Sequence, residues 1–179
     1  ADVFLLRDGN IAILHHKDAG LTQEQIEQMT LEELNLVRGV GKNAPERVTP
    51  LLEEFAAASF DRDMSLILEI KGSSPASAKQ TIKAALQKLI WLEDQNVFRD
   101  KPAFLKEAVE ISSFSVEALE CGREFVEQDG RNISLGLLWT SAKERAADME
   151  ISATAESLAL RLGCADNWTP CGVEIAKRI

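Results

Sequence analysis

The chain has 179 residues, 45% of them hydrophobic and 27% charged, with a formal net charge of −9. That size and balance fit one soluble globular domain with a substantial core. The acidic surplus, with no Lys/Arg run, excludes a broad nucleic-acid face and a polybasic membrane-binding surface, and no apolar run approaches the ~18 residues of a membrane-spanning helix.

The first sixteen residues, ADVFLLRDGNIAILHH, read as a β-hairpin around Asp8-Gly9. A two-residue type I′ turn there needs positive φ at both central positions, which Asp-Gly tolerates. That register pairs Leu6 with Ile11 and Asp2 with His15. Alternation along the strands then puts Asp2, Phe4, Leu6, Ile11, Ile13 and His15 on one face, and His16 on the other in a structural or solvent-facing role. Thr22 with Gln25, and Thr30 with Glu33, are capping-box pairs that predict two short helices between 22 and 38. RGVGKNAPER reads as a loop. Thr49-Pro50 supplies an N-cap and a first helical position for a helix over LLEEFAAAS.

LILEIK (66–71) is a short apolar strand closed by Gly72. Ser74-Pro75 opens a long helix to about residue 92, with Ala78, Ile82, Ala85, Leu86, Leu89 and Ile90 as its apolar stripe. A short helix follows Pro102, and VEISSF (109–114) is a second strand of this kind. Ser115 caps a helix that ends at Asp129-Gly130, and ISLGLLW (133–139) is a third. A helix over 153–162, a strand over CADN (164–167) and a helix from Pro170 complete the pattern. Strands alternating with helices predict βαβ units and a parallel sheet within a single domain spanning 1–179. The absence of a Gly-rich phosphate loop argues against a kinase or a nicotinamide enzyme. No N-terminal stretch reads as a signal peptide. Cys121, Cys164 and Cys171 are odd in number and irregularly spaced. They read as free thiols, which favours a reducing, cytoplasmic compartment.

Two places carry charge where chemistry needs it. In LILEIK, Leu66, Leu68 and Ile70 share one side, while Ile67, Glu69 and Lys71 share the other. Charges at the C-terminal end of an apolar parallel strand must be paired or hold a metal, and that end is where α/β barrels build active sites. The plainer reading is a solvated Glu69–Lys71 neighbour pair. Asp2 and His15 have a plain reading too, as a frayed terminus and a hydrogen-bonded surface histidine. Taken together, the two elements supply oxygen ligands suited to Mg²⁺ or Ca²⁺, an imidazole that moves protons near neutral pH and a cation that neutralises a phosphate oxygen. That set suits phosphodiester hydrolysis.

These segments resemble the glycerophosphodiester phosphodiesterase family. ADVFLLRDGNIAILHH is similar to its E-x-D-V strand, Lys-Asp-Gly turn and His-Asp strand end. TLEEL, VTPLLEEF, LILEIKG, ISSFSVEAL and ISLGLLW follow in the family's order. The resemblance implies a (β/α)8 TIM-barrel-type phosphodiesterase fold with a divalent metal and histidine acid/base catalysis. Position by position, it implies that Asp2 and Glu69 are metal ligands, His15 a catalytic histidine and Lys71 the lysine facing the phosphate. The substrate would be a small glycerophosphodiester, and the products an alcohol and glycerol phosphate.

The departures are specific. The family's opening His-Arg strand has no counterpart, and the Glu of E-x-D falls one position before Ala1. His16 stands where the family has Asp, and Trp168-Thr169 comes too early to be the closing Trp-Thr motif. The expectation is therefore an incomplete slice of the barrel, lacking the first and last strands. Such a slice would be inactive or nearly so alone, and would associate through unpaired strand edges. The alternatives are a degenerate barrel serving as a binding module, and a related phospholipase D-like or phosphatidylinositol phosphodiesterase.

Overall fold

The computed structural model describes residues 1–39, 48–99, 101 and 103–138. Its frame is a five-stranded sheet: β1 (Asp2–Leu5), β2 (Ile11–Ile13), β3 (Leu66–Ile70), β4 (Val109–Ser113) and β5 (Ser134–Leu137). The strand order is β2-β1-β3-β4-β5. β2 runs antiparallel to β1, and the other pairs are parallel. Crossover helices join the parallel strands: α3 (Leu52–Asp61), α4 (Pro75–Asp94), α5 (Phe104–Ala108) and α6 (Val116–Asp129). The parallel α/β architecture of the sequence reading is present. The segments expected at 153–162, at 164–167 and from Pro170 lie outside the described residues, as do Cys164 and Cys171.

Local chemistry sets most helix starts. The Thr22 hydroxyl accepts from Gln25 N at 3.2 Å, and the Gln25 side chain accepts from Thr22 N at 2.8 Å, opening α1 (Gln23–Glu27). Thr30 and Glu33 repeat this reciprocal pair at α2 (Leu31–Gly39). Ser74 caps α4, and Ser115 caps α6. Gly130, at φ +77°, closes α6 in the left-handed conformation that a residue without Cβ adopts freely.

Thr49-Pro50 behaves differently from the prediction. Pro50 O accepts from Ile13 N at 2.9 Å and Leu51 bridges Ala12, so this segment runs extended along β2. The helix begins two residues later, with the Glu54 carboxylate accepting from Leu51 N at 3.1 Å. Thr49 is instead fully buried, bound by its hydroxyl to Arg38 and by its N–H to Asn35. Tertiary pairing overrode a local capping signal.

The hairpin register also differs. Leu6 N donates to Asn10 O at 2.8 Å and Gly9 N to Leu6 O at 3.0 Å. The loop is thus three residues, Arg7-Asp8-Gly9, with only Gly9 left-handed at φ +84°. This is the second common hairpin solution, a turn followed by a left-handed glycine. It is held by a contact made elsewhere: the Asp8 carboxylate accepts from Asn10 N at 3.2 Å and from Leu31 N, at the start of α2, at 2.9 Å. Although burial opposes ionisation, these hydrogen bonds hold the Asp8 carboxyl below its ordinary pKa.

The strand pairs become Val3–Ile13, Phe4–Ala12 and Leu5–Ile11. Asp2 therefore lies opposite Leu14, whose N–H donates to Asp2 O at 3.1 Å, and not opposite His15. A slip of one residue exchanges the faces of one strand. Phe4, Leu6, Ala12 and Leu14 pack together with Ile26 and Leu34 of the short helices. Val3, Ile11 and Ile13 join the main core, where Leu66, Leu68, Ile70, Val109, Ile111 and Leu135 lie against the apolar stripe of α4 and against α6.

Candidate functional site

The parallel register aligns Asp2 with Glu69 and Glu69 with Ser112, and Ser112 in turn with Gly136. Side chains in one row across a sheet share a face. The neighbouring row, Val3, Ile70, Ser113 and Leu137, faces the helices. The sheet thus has an apolar side covered by α4 and α6 and a polar side bearing Asp2, Glu69 and Ser112. Lys71, next after β3, lies on the same side as Glu69 by alternation.

On that polar side, three charges meet. The Lys71 ammonium forms ion pairs with both the Glu69 carboxylate and Asp2, the latter at 3.6 Å. All three side chains are well withdrawn from solvent, with Lys71 and Asp2 at 13% exposure and Glu69 at 23%. The Lys71–Glu69 neighbour pair is real, and Asp2 converts it into a triad spanning two strands. Lys71 Nζ also stands 5.7 Å from the centroid of the Phe114 ring, which is half-exposed just beyond β4. In the sequence Phe114 stands out only as part of the Ser-Ser-Phe strand motif; its place beside Lys71 depends on β3–β4 pairing.

His15 and His16 follow β2 at the start of a turn rather than on the strand itself. His15 O accepts from Asp18 N at 3.0 Å and His16 O from Ala19 N at 3.2 Å. Freed from strict alternation, both rings approach Asp2: one ligating atom from each of Asp2, His15 and His16 falls within 4.8 Å of the others. The two imidazole centroids are 5.3 Å apart, and His16 meets the Phe4 ring edge-on at 6.4 Å. His15 Nδ1 is 3.5 Å from the Asp18 carboxylate. His16 is therefore a site neighbour of Asp2, correcting the expectation that it points away. The signal that would have found it is the loop length, because the three-residue turn shifts β2 by one position and brings Ala12, Leu14 and, two residues on, His16 to the side that Asp2 and Phe4 already share.

Two polar atoms here are buried with no hydrogen-bond partner, Asp2 Oδ2 and His16 Nδ1. Buried polar atoms of this kind mark a place for an ion, a water or a ligand. Lower on the same face, burial pushes the Glu110 carboxyl above its ordinary pKa. Glu110 is aligned with Ile67 on one side and Ser134 on the other.

The fold and the charges together define an α/β protein with a carboxylate–lysine–imidazole cluster on the polar face of a parallel sheet. Residues 1–166 match the model of the glycerophosphoryl diester phosphodiesterase family, and the chain belongs to that family. Among solved structures, it is similar to a candidate glycerophosphodiester phosphodiesterase from Galdieria sulphuraria, with 20% identity and a TM-score of 0.47 over 84% of this chain. The chain spans 66% of the length of that protein. No curated protein matches it. No helix among the described residues is long and apolar enough to cross a membrane.

Proposed function

We propose that the protein hydrolyses glycerophosphodiesters to an alcohol and glycerol phosphate, on a (β/α)8-barrel-type fold, with Mg²⁺ or Ca²⁺ as cofactor. The observation that carries this reading is the convergence of Asp2 and Glu69, from neighbouring strands, on one cationic centre. The donor set fits a hard divalent ion, since two carboxylates aimed at one positive charge are the ligands such ions prefer. Asp2 and Glu69 would hold the ion, with Asp2 Oδ2, which makes no hydrogen bond and stands 3.6 Å from Lys71 Nζ, as one donor. When bound, the ion supplies charge neutralisation at a phosphate oxygen and acidifies the attacking hydroxyl or water.

The remaining roles belong to the chain. Lys71 already sits among the carboxylates and offers a mobile ammonium for a non-bridging phosphate oxygen. The attacking hydroxyl or water gives up its proton to solvent and forms a new P–O bond as the P–O bond to the alcohol breaks, and His15 donates a proton to the departing oxygen. Asp18, beside Nδ1, orients that imidazole. Phe114 gives an apolar wall beside Lys71, which strengthens its charge by excluding water.

The test is incubation of the full-length protein with glycerophosphocholine, glycerophosphoethanolamine and lysophosphatidylcholine in the presence of Mg²⁺ or Ca²⁺. The reading predicts glycerol phosphate from the first two, stopped by a chelator. Preference for lysophosphatidylcholine would assign the related phospholipase D-like activity instead. Absence of turnover on all three would favour the non-catalytic binding module.

A further inference from the structure

We infer that Asp2, His15 and His16 form a nitrogen-rich metal site that takes a borderline transition ion, such as Zn²⁺ or Co²⁺, in preference to Mg²⁺ or Ca²⁺. The inference rests on the reading of Asp2 as a metal ligand; an ion held there would also occupy His15, so this site competes with the Asp2–Glu69 site and with the proton-donating role of His15 rather than supporting hydrolysis. Three observations carry it. Ligating atoms from the three residues already lie within 4.8 Å of one another. Around a tetrahedral ion with ligands about 2.0–2.2 Å away, donor atoms are roughly 3.3–3.5 Å apart, so modest side-chain rotations close the set. His16 Nδ1 is buried without a hydrogen-bond partner, and Asp2 Oδ2 makes no hydrogen bond and has only the Lys71 ammonium at 3.6 Å, an arrangement that an ion would complete. Finally, the Asp18 carboxylate faces His15 Nδ1. A carboxylate on one ring nitrogen keeps the proton there and leaves the lone pair of the other for a metal, the usual support of a metal-bound histidine.

Imidazole nitrogen favours Zn²⁺, Co²⁺ and Ni²⁺, whereas carboxylate alone favours Mg²⁺ and Ca²⁺. His16 is the residue that changes the balance, because it places a second imidazole beside Asp2. Lys71 does not block the site, since it retains Glu69 as its partner when Asp2 turns to an ion. The competing explanation is that His16 simply packs edge-on against Phe4.

The chain has two histidines, and both are in this cluster, so imidazole NMR signals report on it without ambiguity. The experiment titrates the 179-residue chain, purified without a histidine tag, with Zn²⁺, Co²⁺ or Mg²⁺. The expected result is that one equivalent of Zn²⁺ shifts both imidazole signal sets, that Co²⁺ broadens both, and that Mg²⁺ leaves them in place. In parallel calorimetry, His16→Asn weakens Zn²⁺ binding by about tenfold or more without weakening Mg²⁺ binding. Imidazole signals unmoved by Zn²⁺, or equal Zn²⁺ affinity in a folded His16→Asn chain, would overturn the inference. If that variant does not fold, the wild-type spectra decide alone. Mg²⁺-supported hydrolysis by the full-length protein with unmoved imidazoles would refute this inference and leave the proposed function standing. Shifted imidazoles without hydrolysis would do the reverse.

Discussion

Replacing Lys71 by Met removes the ammonium while keeping a stem of similar length, and so isolates the charge. At 3.6 Å and an effective dielectric of about 20, the attraction between Lys71 and Asp2 is about 4–5 kcal/mol before desolvation and side-chain ordering are charged against it. Breaking a buried pair from one side costs about 3–5 kcal/mol, because the abandoned partner stays desolvated. Here two carboxylates are abandoned, but both keep some contact with water. A net loss of about 2 kcal/mol is the reasonable magnitude, which for a chain of this size lowers Tm by roughly 4–8 °C. The distinguishing readout is rescue. Two adjacent carboxylates without their counter-charge become a better cation site, so Mg²⁺ or Ca²⁺ raises the Tm of Lys71→Met more than that of the wild type. At about a hundredfold excess over Kd, the gain is about 2.7 kcal/mol. Differential scanning fluorimetry with and without the ions measures both effects. A variant within about 1 °C of wild type, with no larger ion-dependent gain, would refute the triad as an electrostatic unit.

Other outcomes follow from the same geometry. A Cβ at Gly72 would lie 2.4 Å from the backbone nitrogen of Ala78, so Gly72→Ala must displace the start of α4 and should cost about 1–3 kcal/mol by urea denaturation. At Gly122 the nearest atom is the rotatable Ile82 Cδ1, at 2.6 Å, so Gly122→Ala should be far milder, helped by the ~1 kcal/mol better helix propensity of Ala. Because burial raises the Glu110 pKa, the native state holds that proton more tightly than the unfolded chain, and stability falls as pH rises from the unfolded to the folded pKa. Glu110→Gln should therefore raise Tm at pH 7, with the gain fading at acid pH below the unfolded value of 4.5; a gain that grows on acidification would contradict the sign. His15→Asn should lower kcat by about 10²–10⁴ with little change in Tm, measured on the full-length protein, if His15 is the acid–base group.

The sequence made legible those elements whose signals are local. Thr22, Thr30, Ser74 and Ser115 bind backbone N–H groups within a few residues, and each marks a helix start. LILEIK is legible as a strand because it is short, apolar and closed by Gly72, and β3 spans Leu66–Ile70. What stayed hidden was set by distant partners. Asp8 spends its carboxylate on Leu31, across 23 positions, and this goes with a three-residue loop where Asp-Gly alone favours two. That single residue moved Asp2 from opposite His15 to opposite Leu14 and brought His16 into the site. Thr49 likewise answers to Asn35 and Arg38 rather than to the helix that follows it. The meeting of Lys71 with Asp2 was beyond any local pattern, because it depends on which strands pair and in what register.

The central claim is that Asp2 and Glu69 hold the ion that supports hydrolysis of a glycerophosphodiester. Its most direct test is the release of glycerol phosphate from glycerophosphocholine by the full-length protein and its Glu69→Gln variant, across a Mg²⁺ titration. The account predicts metal-dependent turnover in the wild type, lost to a chelator, and a folded variant that has lost most of its activity together with its Mg²⁺ response. Undiminished turnover in Glu69→Gln, with the same dependence on Mg²⁺, would contradict it.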